Sequence, residues 1–320
     1  VAEVLASTQP QDLVLVLISG GGSALLELPA GGLSLDDLRT TTELLLRSGA
    51  AIDEVNTVRR RLSKIKAGGL ARLAAPARTV TLLLSDVVGD RLEAIASGPT
   101  VYSTDASQVA LEVVRRFDLI DQLPEAVRVW LETPDALPDV DPPRVQHVMI
   151  GNNRMAAEAA AGQARELGFQ TQVLESNLEG EARDAGQALA RLARSIRQHG
   201  VPLPAPACLI QGGETTVHVT GPGRGGRNQE LALTAAIELE GQEGCMLAAF
   251  ATDGIDGPTP AAGGIVTGST IERARALGLD ARRSLQDNDS HTFLTSLGET
   301  LTTGPTGTNV TDLAFVLVYS

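Results

Sequence analysis

Short apolar runs alternate with amphipathic stretches along almost the whole chain. The run "LVLVLIS" (13–19) is continuous in apolar character, the pattern of a strand buried on both faces of a parallel sheet. "SLDDLRTTTELLLRSG" (34–49) predicts a helix that opens on a capping box, Ser34 with Asp37, and ends near Gly49. Helical periodicity returns over 52–75 and breaks at Gly68-Gly69, and "RTVTLLLSD" (78–86) reads as a second buried strand. Helices are predicted over 107–117 and 124–131.

"TPDALPDVDPP" (133–143) carries four prolines and is the best linker in the chain. Beyond it the alternation resumes. "VQHVMIG" is a strand, "NRMAAEAAAGQAREL" a helix, "FQTQVLES" a strand and "EGEARDAGQALARLARSIRQ" a long helix. "CLIQGGETTVHVTG" reads as a hairpin of two strands joined at "GGE". A helix over 227–240, a strand over 245–252, short helices and a last strand over 312–318 complete the pattern. Repeated β–α alternation predicts α/β layers with mostly parallel sheets, in which ligands gather beyond the carboxyl ends of strands.

Composition narrows the function. A length of 320 residues suits two domains. A net charge of −13 disfavours nucleic acid and anionic membranes as partners, while a few arginines in a cleft can still hold a small anion. Two cysteines, Cys208 and Cys245, lie in apolar runs as small buried hydrophobes, and the four histidines form no metal-binding pair. No apolar run reaches transmembrane length and no signal pattern opens the chain, so the expected location is the cytoplasm.

The polar, glycine-rich sequence sits at predicted strand ends. In "SGGGSAL", Ser19, Gly20, Gly21, Gly22 and Ser23 follow the first strand, where three glycines favour a nest of N–H groups for an anion. In "SDVVGD", Asp86 and Asp90 follow a strand and suit Mg²⁺ or proton transfer. Asp253 falls at a strand tip in "ATDGIDG". In "VHVTGPGRGGRNQELAL" four glycines precede a helix that starts at Arg227, with Gly225, Gly226 and Asn228 beside it. A cation at a helix N-terminus is unfavourable by ~0.3–1 kcal/mol, and a bound anion reverses that. Asn56 and Arg59 lie three apart on one helix face and can reach a common ligand.

Two readings of the anion compete. Gly221, Gly223 and Gly226 match GxGxxG, which points to a dinucleotide-binding oxidoreductase. Several separate Gly/Asp strand ends suit phosphoryl transfer better, because it needs phosphate cradles, carboxylates for Mg²⁺, an arginine and a base.

Together "LISGGGSALL", "NTVRRRLSKIKAGGLA", "SDVVGDRLEAIASGPTV", "GGETTVHVTGPGRGGRNQELAL", "ATDGIDGPTPAAG" and "TGPTGTNVTDL" resemble the class II glycerate 2-kinase family, whose C-terminal region is called MOFRL. The resemblance spans nearly the whole chain in the family's motif order. It implies ATP- and Mg²⁺-dependent phosphorylation of D-glycerate at the 2-hydroxyl. It also implies two α/β domains with the active site in the interdomain cleft. Residues 1–136 would be the remainder of a Rossmann-like first domain whose upstream part lies before Val1, and 137–320 the second domain, with MOFRL over about 205–318. The catalytic set implied is Arg227, Asp253 and an Asp of "SDVVGD", with Asp90 preferred over Asp86.

Asp90 and Asp253 are the metal candidates. Ser19 to Ser23 with Gly225, Gly226 and Asn228 are the nucleotide candidates, and Asn56 and Arg59 the glycerate candidates. The family's catalytic lysine lies upstream of the first strand, and neither Lys64 nor Lys66 occupies its place. Arg60-Arg61 stand where the family often has Lys-His, and Pro260 where it often has Asp. The partner is a small molecule, and a homodimer is compatible. An NAD(P)-dependent hydroxypyruvate reductase is the second reading, and a non-catalytic binding protein the third.

Overall fold

The computed structural model describes residues 1–102, 106–133 and 144–320. The proline-rich linker call therefore lies outside the described residues, apart from Thr133. The chain divides into two compact units, 1–85 with 90–150 and 86–89 with 151–320.

The first unit carries a three-stranded sheet of order β1-β2-β3, with β1 at Leu13–Ile18, β2 at Arg78–Leu84 and β3 at Val145–Gly151. β1 and β2 are parallel, Leu13 facing Arg78 and Ile18 facing Leu83. β3 sits beside β2, so it builds the first sheet although the sequence boundary at 136/137 assigned it to the second domain. Val14 and Val16 pack towards Ile65, Leu70 and Ala74. Leu13, Leu15 and Leu17 are 63%, 56% and 71% exposed, so β1 is not buried on both faces as its apolar run suggested.

Helices Leu35–Arg47, Ile52–Arg61, Ala106–Arg116 and Glu125–Glu132 enclose a separate core around Leu45, Val55, Val58, Val114 and Val127. The Ser34–Asp37 capping box forms as the sequence predicts. Arg61 is one clamp in this core. Its guanidinium stacks 4.8 Å from the Trp130 ring and donates to the Thr133 carbonyl, which makes it a packing residue.

The second unit carries six strands: β4 (Gln170–Val173), β5 (Ala207–Gly213), β6 (Cys245–Ala251), β7 (Gly263–Thr267), β8 (Thr300–Leu301) and β9 (Asp312–Val318). Their order is β4-β5-β9-β6-β7-β8. Only β4 and β5 are parallel; every other neighbouring pair is antiparallel, which corrects the expectation of a mostly parallel sheet. The cause is connectivity. β6 and β7 join through loop 252–262 without a crossover helix, and β9 returns between β5 and β6.

The predicted hairpin at "GGE" does not form either. β5 ends at Gly213, whose φ of +145° and approach to the Leu178 backbone turn the chain away. The chain then bridges to 178–181, pairing Leu178 with Gly213 and Glu181 with Thr216. Helix Arg227–Glu238 is buried along most of its length against helix Ala182–His199, where Gly186 admits the Leu231 carbonyl. No helix among the described residues is long and apolar enough to cross a membrane.

Candidate active site

The antiparallel register of β9 builds the charged centre of the second unit. Asp312, the first residue of β9, lies opposite Gly213 at the end of β5 and Ala251 at the end of β6. One end of the sheet thus gathers Glu214, Asp312 and Asp253 from three strand ends.

Arg227 meets this end from the start of its helix. Its Nε donates to Asp312 Oδ2 at 2.5 Å and its Nη2 to Asp312 Oδ1 at 2.9 Å, a two-point fork. Its Nη1 lies 3.0 Å from Glu214 Oε1. Burial works against the guanidinium charge, but the hydrogen bond and charge of Asp312, with Glu214, more than offset it and raise its proton affinity. Burial also pushes the Asp312 carboxyl up, and Arg227 pulls it back. Glu214 is raised by burial; Arg227 opposes this, while the charges of Asp312, Asp86 and Asp253 reinforce it. Asp86 is raised by burial too. Asp86 and Asp253 therefore both fall within the electrostatic reach of Glu214.

The glycines before Arg227 serve close packing. A Cβ on Gly221 or Gly223 would lie 2.3 or 2.5 Å from Asp287 backbone atoms, one on Gly225 would lie 2.2 Å from Ser290 Oγ, and one on Gly226 would lie 2.3 Å from Asp256. Asn288 Oδ1 accepts the Thr220 and Gly221 N–H groups at 2.8 Å each, and Asp289 accepts that of Arg224 at 3.0 Å. The helix start has its own anion. Asp256, fully buried, accepts the backbone N–H groups of Asn228 at 3.1 Å and Gln229 at 2.9 Å, and the Gln229 side chain at 2.9 Å. The Asn228 donors that the sequence offers to phosphate are thus engaged by Asp256 within the protein.

Asp253 lies two residues past β6, where its Oδ1 accepts the Ile255 N–H at 2.9 Å. Asp90 belongs to the first unit and holds a left-handed φ of +52°. Asp86 clusters with the second unit. Among the described residues, no group of three or more His, Cys, Asp or Glu side chains is placed to hold a metal ion.

In the first unit, Ser19 and Gly20 lead from β1 into a turn at Gly21, whose φ of +79° starts the short helix Gly22–Leu25. Gly22 is required by Ala96, which a Cβ would approach to 2.9 Å. Ser23 Oγ lies 2.8 Å from Ser97 Oγ. Its carbonyl accepts both Arg59 Nη2 at 2.7 Å and Lys66 Nζ at 2.9 Å. Arg59 Nη1 also reaches Asn56 Oδ1 at 3.3 Å, so the two glycerate candidates do share one helix face.

Lys66 is 1% exposed and fully engaged, with Glu27 at 2.8 Å and the Leu26 carbonyl at 3.2 Å besides Ser23. Burial lowers its proton affinity and Glu27 raises it again. An open depression of about 320 Å³ adjoins this loop, lined by residues that include Ala24, Glu27, Leu38, Thr42 and Arg59.

The sequence alone assigns no site role to Glu214, Asp256, Asn288, Asp312 or Lys66. Glu214 in "GGE" and Asp312 in "NVTDL" stand in motifs that carry the family resemblance, and strand-end position is the available signal. A parallel β9 would start at the end of the sheet away from the carboxyl ends of β5 and β6; the antiparallel register brings Asp312 to those ends.

Comparison with known proteins gives the following. Residues 1–132 match the model "Domain of unknown function (DUF4147)", and residues 207–312 match the MOFRL family. A D-glycerate 2-kinase of Thermotoga maritima is 47% identical over 99% of this chain and 75% of its own length. The crystal structure of a glycerate kinase from Thermotoga maritima matches with a TM-score of 0.92 at 46% identity, covering 99% of this chain and 75% of that one. A relative from Agrobacterium vitis that carries a provisional hydroxypyruvate reductase name is 43% identical over 97% of this chain and 70% of its own length.

Proposed function

Because the chain belongs to the glycerate 2-kinase family with a MOFRL region, we propose that it transfers the terminal phosphoryl group of ATP to the 2-hydroxyl of D-glycerate, giving 2-phosphoglycerate and ADP. The observation that carries this reading is Arg227, fixed by Asp312 at one end of the second sheet and paired with Glu214, on which the charges of Asp86 and Asp253 also act. A transferring phosphoryl group needs such an arginine to neutralise the charge on its equatorial oxygens.

Magnesium takes oxygen ligands and is held through one or two carboxylates together with nucleotide phosphates. The donor set suits it. Asp253 is the carboxylate of the second unit that would hold the ion, with Asp86, whose charge is disfavoured by burial and would be offset by a divalent cation; Asp90 is the candidate of the first unit. When bound it would screen the phosphates that Arg227 approaches. Asp90 or Asp253 takes the proton of the attacking 2-hydroxyl. In the first unit the loop Ser19–Ser23 offers main-chain N–H groups to phosphate, and Asn56 and Arg59 take the glycerate carboxylate. The cytoplasm, which supplies ATP, and a homodimer complete the reading.

The reductase reading loses its physical support at the GxGxxG-like loop. The residues before the helix form no strand, and the Gly225–Gly226 turn packs on Ser290 and Asp256 where a pyrophosphate would have to lie. The test is a paired assay: D-glycerate with Mg·ATP, followed by ADP formation, and hydroxypyruvate with NADH, followed by absorbance loss. ADP formation that depends on glycerate is expected. NADH consumption without it would replace the kinase by the reductase.

A further inference from the structure

Arg227 has a carboxylate on every nitrogen: Asp312 on Nε and Nη2, Glu214 on Nη1. An arginine so neutralised gives little of its charge to an incoming phosphoryl group, so one of the two acids must yield. They are not equivalent. The Asp312 side chain is 8% exposed and forms the two-point fork. The Glu214 side chain is 41% exposed and touches only one nitrogen. It also stands in the field of three other carboxylates, Asp312, Asp86 and Asp253, all of which oppose its charge.

We propose that Glu214 is a displaceable counter-ion, occupying the position on Arg227 Nη1 that a phosphoryl oxygen of the nucleotide takes. This rests on the kinase reading of the site. Asp312 orients the guanidinium permanently, while Glu214 holds its outer nitrogen only until phosphate arrives. Glu214 is thus a positioning residue acting through Arg227, and it sets a threshold: a ligand must bring enough negative charge to outcompete a carboxylate. A polyphosphate passes that threshold more readily than a monoanion such as glycerate.

The test is equilibrium binding of inorganic tripolyphosphate, without metal, measured by calorimetry on the whole chain as wild type, Glu214→Gln, Arg227→Gln and the double variant. Glu214→Gln removes the competitor and keeps the shape, so tripolyphosphate binds it about fivefold tighter than wild type, the worth of a half-exposed ion pair. The gain disappears in the Arg227→Gln background, because both effects run through one guanidinium. Circular dichroism melts check that each variant is folded, and Glu214→Asp, which shortens the reach, gives a second, intermediate value. Equal or weaker binding by Glu214→Gln, no measurable binding by either protein, or a gain that persists without Arg227 overturns the proposal. Failure of the kinase reading shows separately, as wild type that forms no ADP with glycerate.

Discussion

Arg227 and Asp312 lie 85 residues apart in sequence and meet through two hydrogen bonds, Nε to Oδ2 and Nη2 to Oδ1. The pairing follows from β9 running antiparallel between β5 and β6, which delivers its first residue to the end of the sheet that the helix at Arg227 also reaches. Asp312→Asn should lower stability by about 1–3 kcal/mol, because it removes the charged fork and leaves Arg227, 32% exposed, with Glu214 alone. It should also lower kcat about 10²-fold by freeing the guanidinium to turn. Denaturant melts and steady-state kinetics on one preparation check both; unchanged kcat with reduced stability would make the pair structural only.

Arg227→Lys keeps one positive charge but not the fork. Turnover should fall by about 10³-fold or more, the range known for arginines that stabilise phosphoryl transfer, while the thermal midpoint stays within a few degrees of wild type. Turnover near wild type would remove Arg227 from the chemistry.

Asp86 and Asp90 separate by their surroundings. Asp86 clusters with the second unit, and its charge acts on Glu214; Asp90 belongs to the first. Asp86→Asn should therefore raise the magnesium concentration needed for half-maximal rate more than Asp90→Asn does. Magnesium titrations of the two variants decide it, and the reverse order would restore Asp90 as the main metal ligand.

Asp256 caps the Arg227 helix, and Gly226 makes room for it. Gly226→Ala leaves φ unstrained at −144° but drives a methyl group into the Asp256 carboxylate. The expected cost is about 1–3 kcal/mol from overpacking, with kcat falling as the helix start shifts. Chemical denaturation measures it, and a neutral substitution would mean the loop is looser than its contacts indicate.

Much of this was legible in the sequence, and the failures share a cause. Helix starts could be read where a local side chain closes them, as Ser34 and Asp37 do. The last strand is legible at its true bounds because the six residues after Asp312, "LAFVLV", are apolar throughout. Its direction could not be read, since that depends on which strands flank it, a contact between distant segments. Asp312 was lost with the direction. The four glycines raised a correct question, why side chains are excluded there, but the excluding partners are Asp256 and Asp287–Ser290, which no local pattern announces. The site's anchors were thus hidden by long-range pairing, while its strand-end loops were visible.

A pH dependence away from the site tests the electrostatics. Glu299 accepts from Thr270 at 2.8 Å and Arg273 at 2.9 Å, yet burial holds its carboxyl above its ordinary value of 4.5. A raised carboxyl binds its proton more tightly when folded. Its favourable contribution is complete below pH 4.5 and is lost as pH rises through the folded value. The melting difference between wild type and Glu299→Gln should therefore shift in favour of wild type on acidification from pH 7 toward 4.5. A shift the other way would mean that Arg273 outweighs burial.

The most direct test of the central claim is phosphorus NMR of a mixture of this protein, Mg·ATP and D-glycerate. The account predicts a growing resonance of 2-phosphoglycerate matched by conversion of ATP to ADP. A spectrum in which ATP persists, or in which it is consumed equally without glycerate, would contradict it.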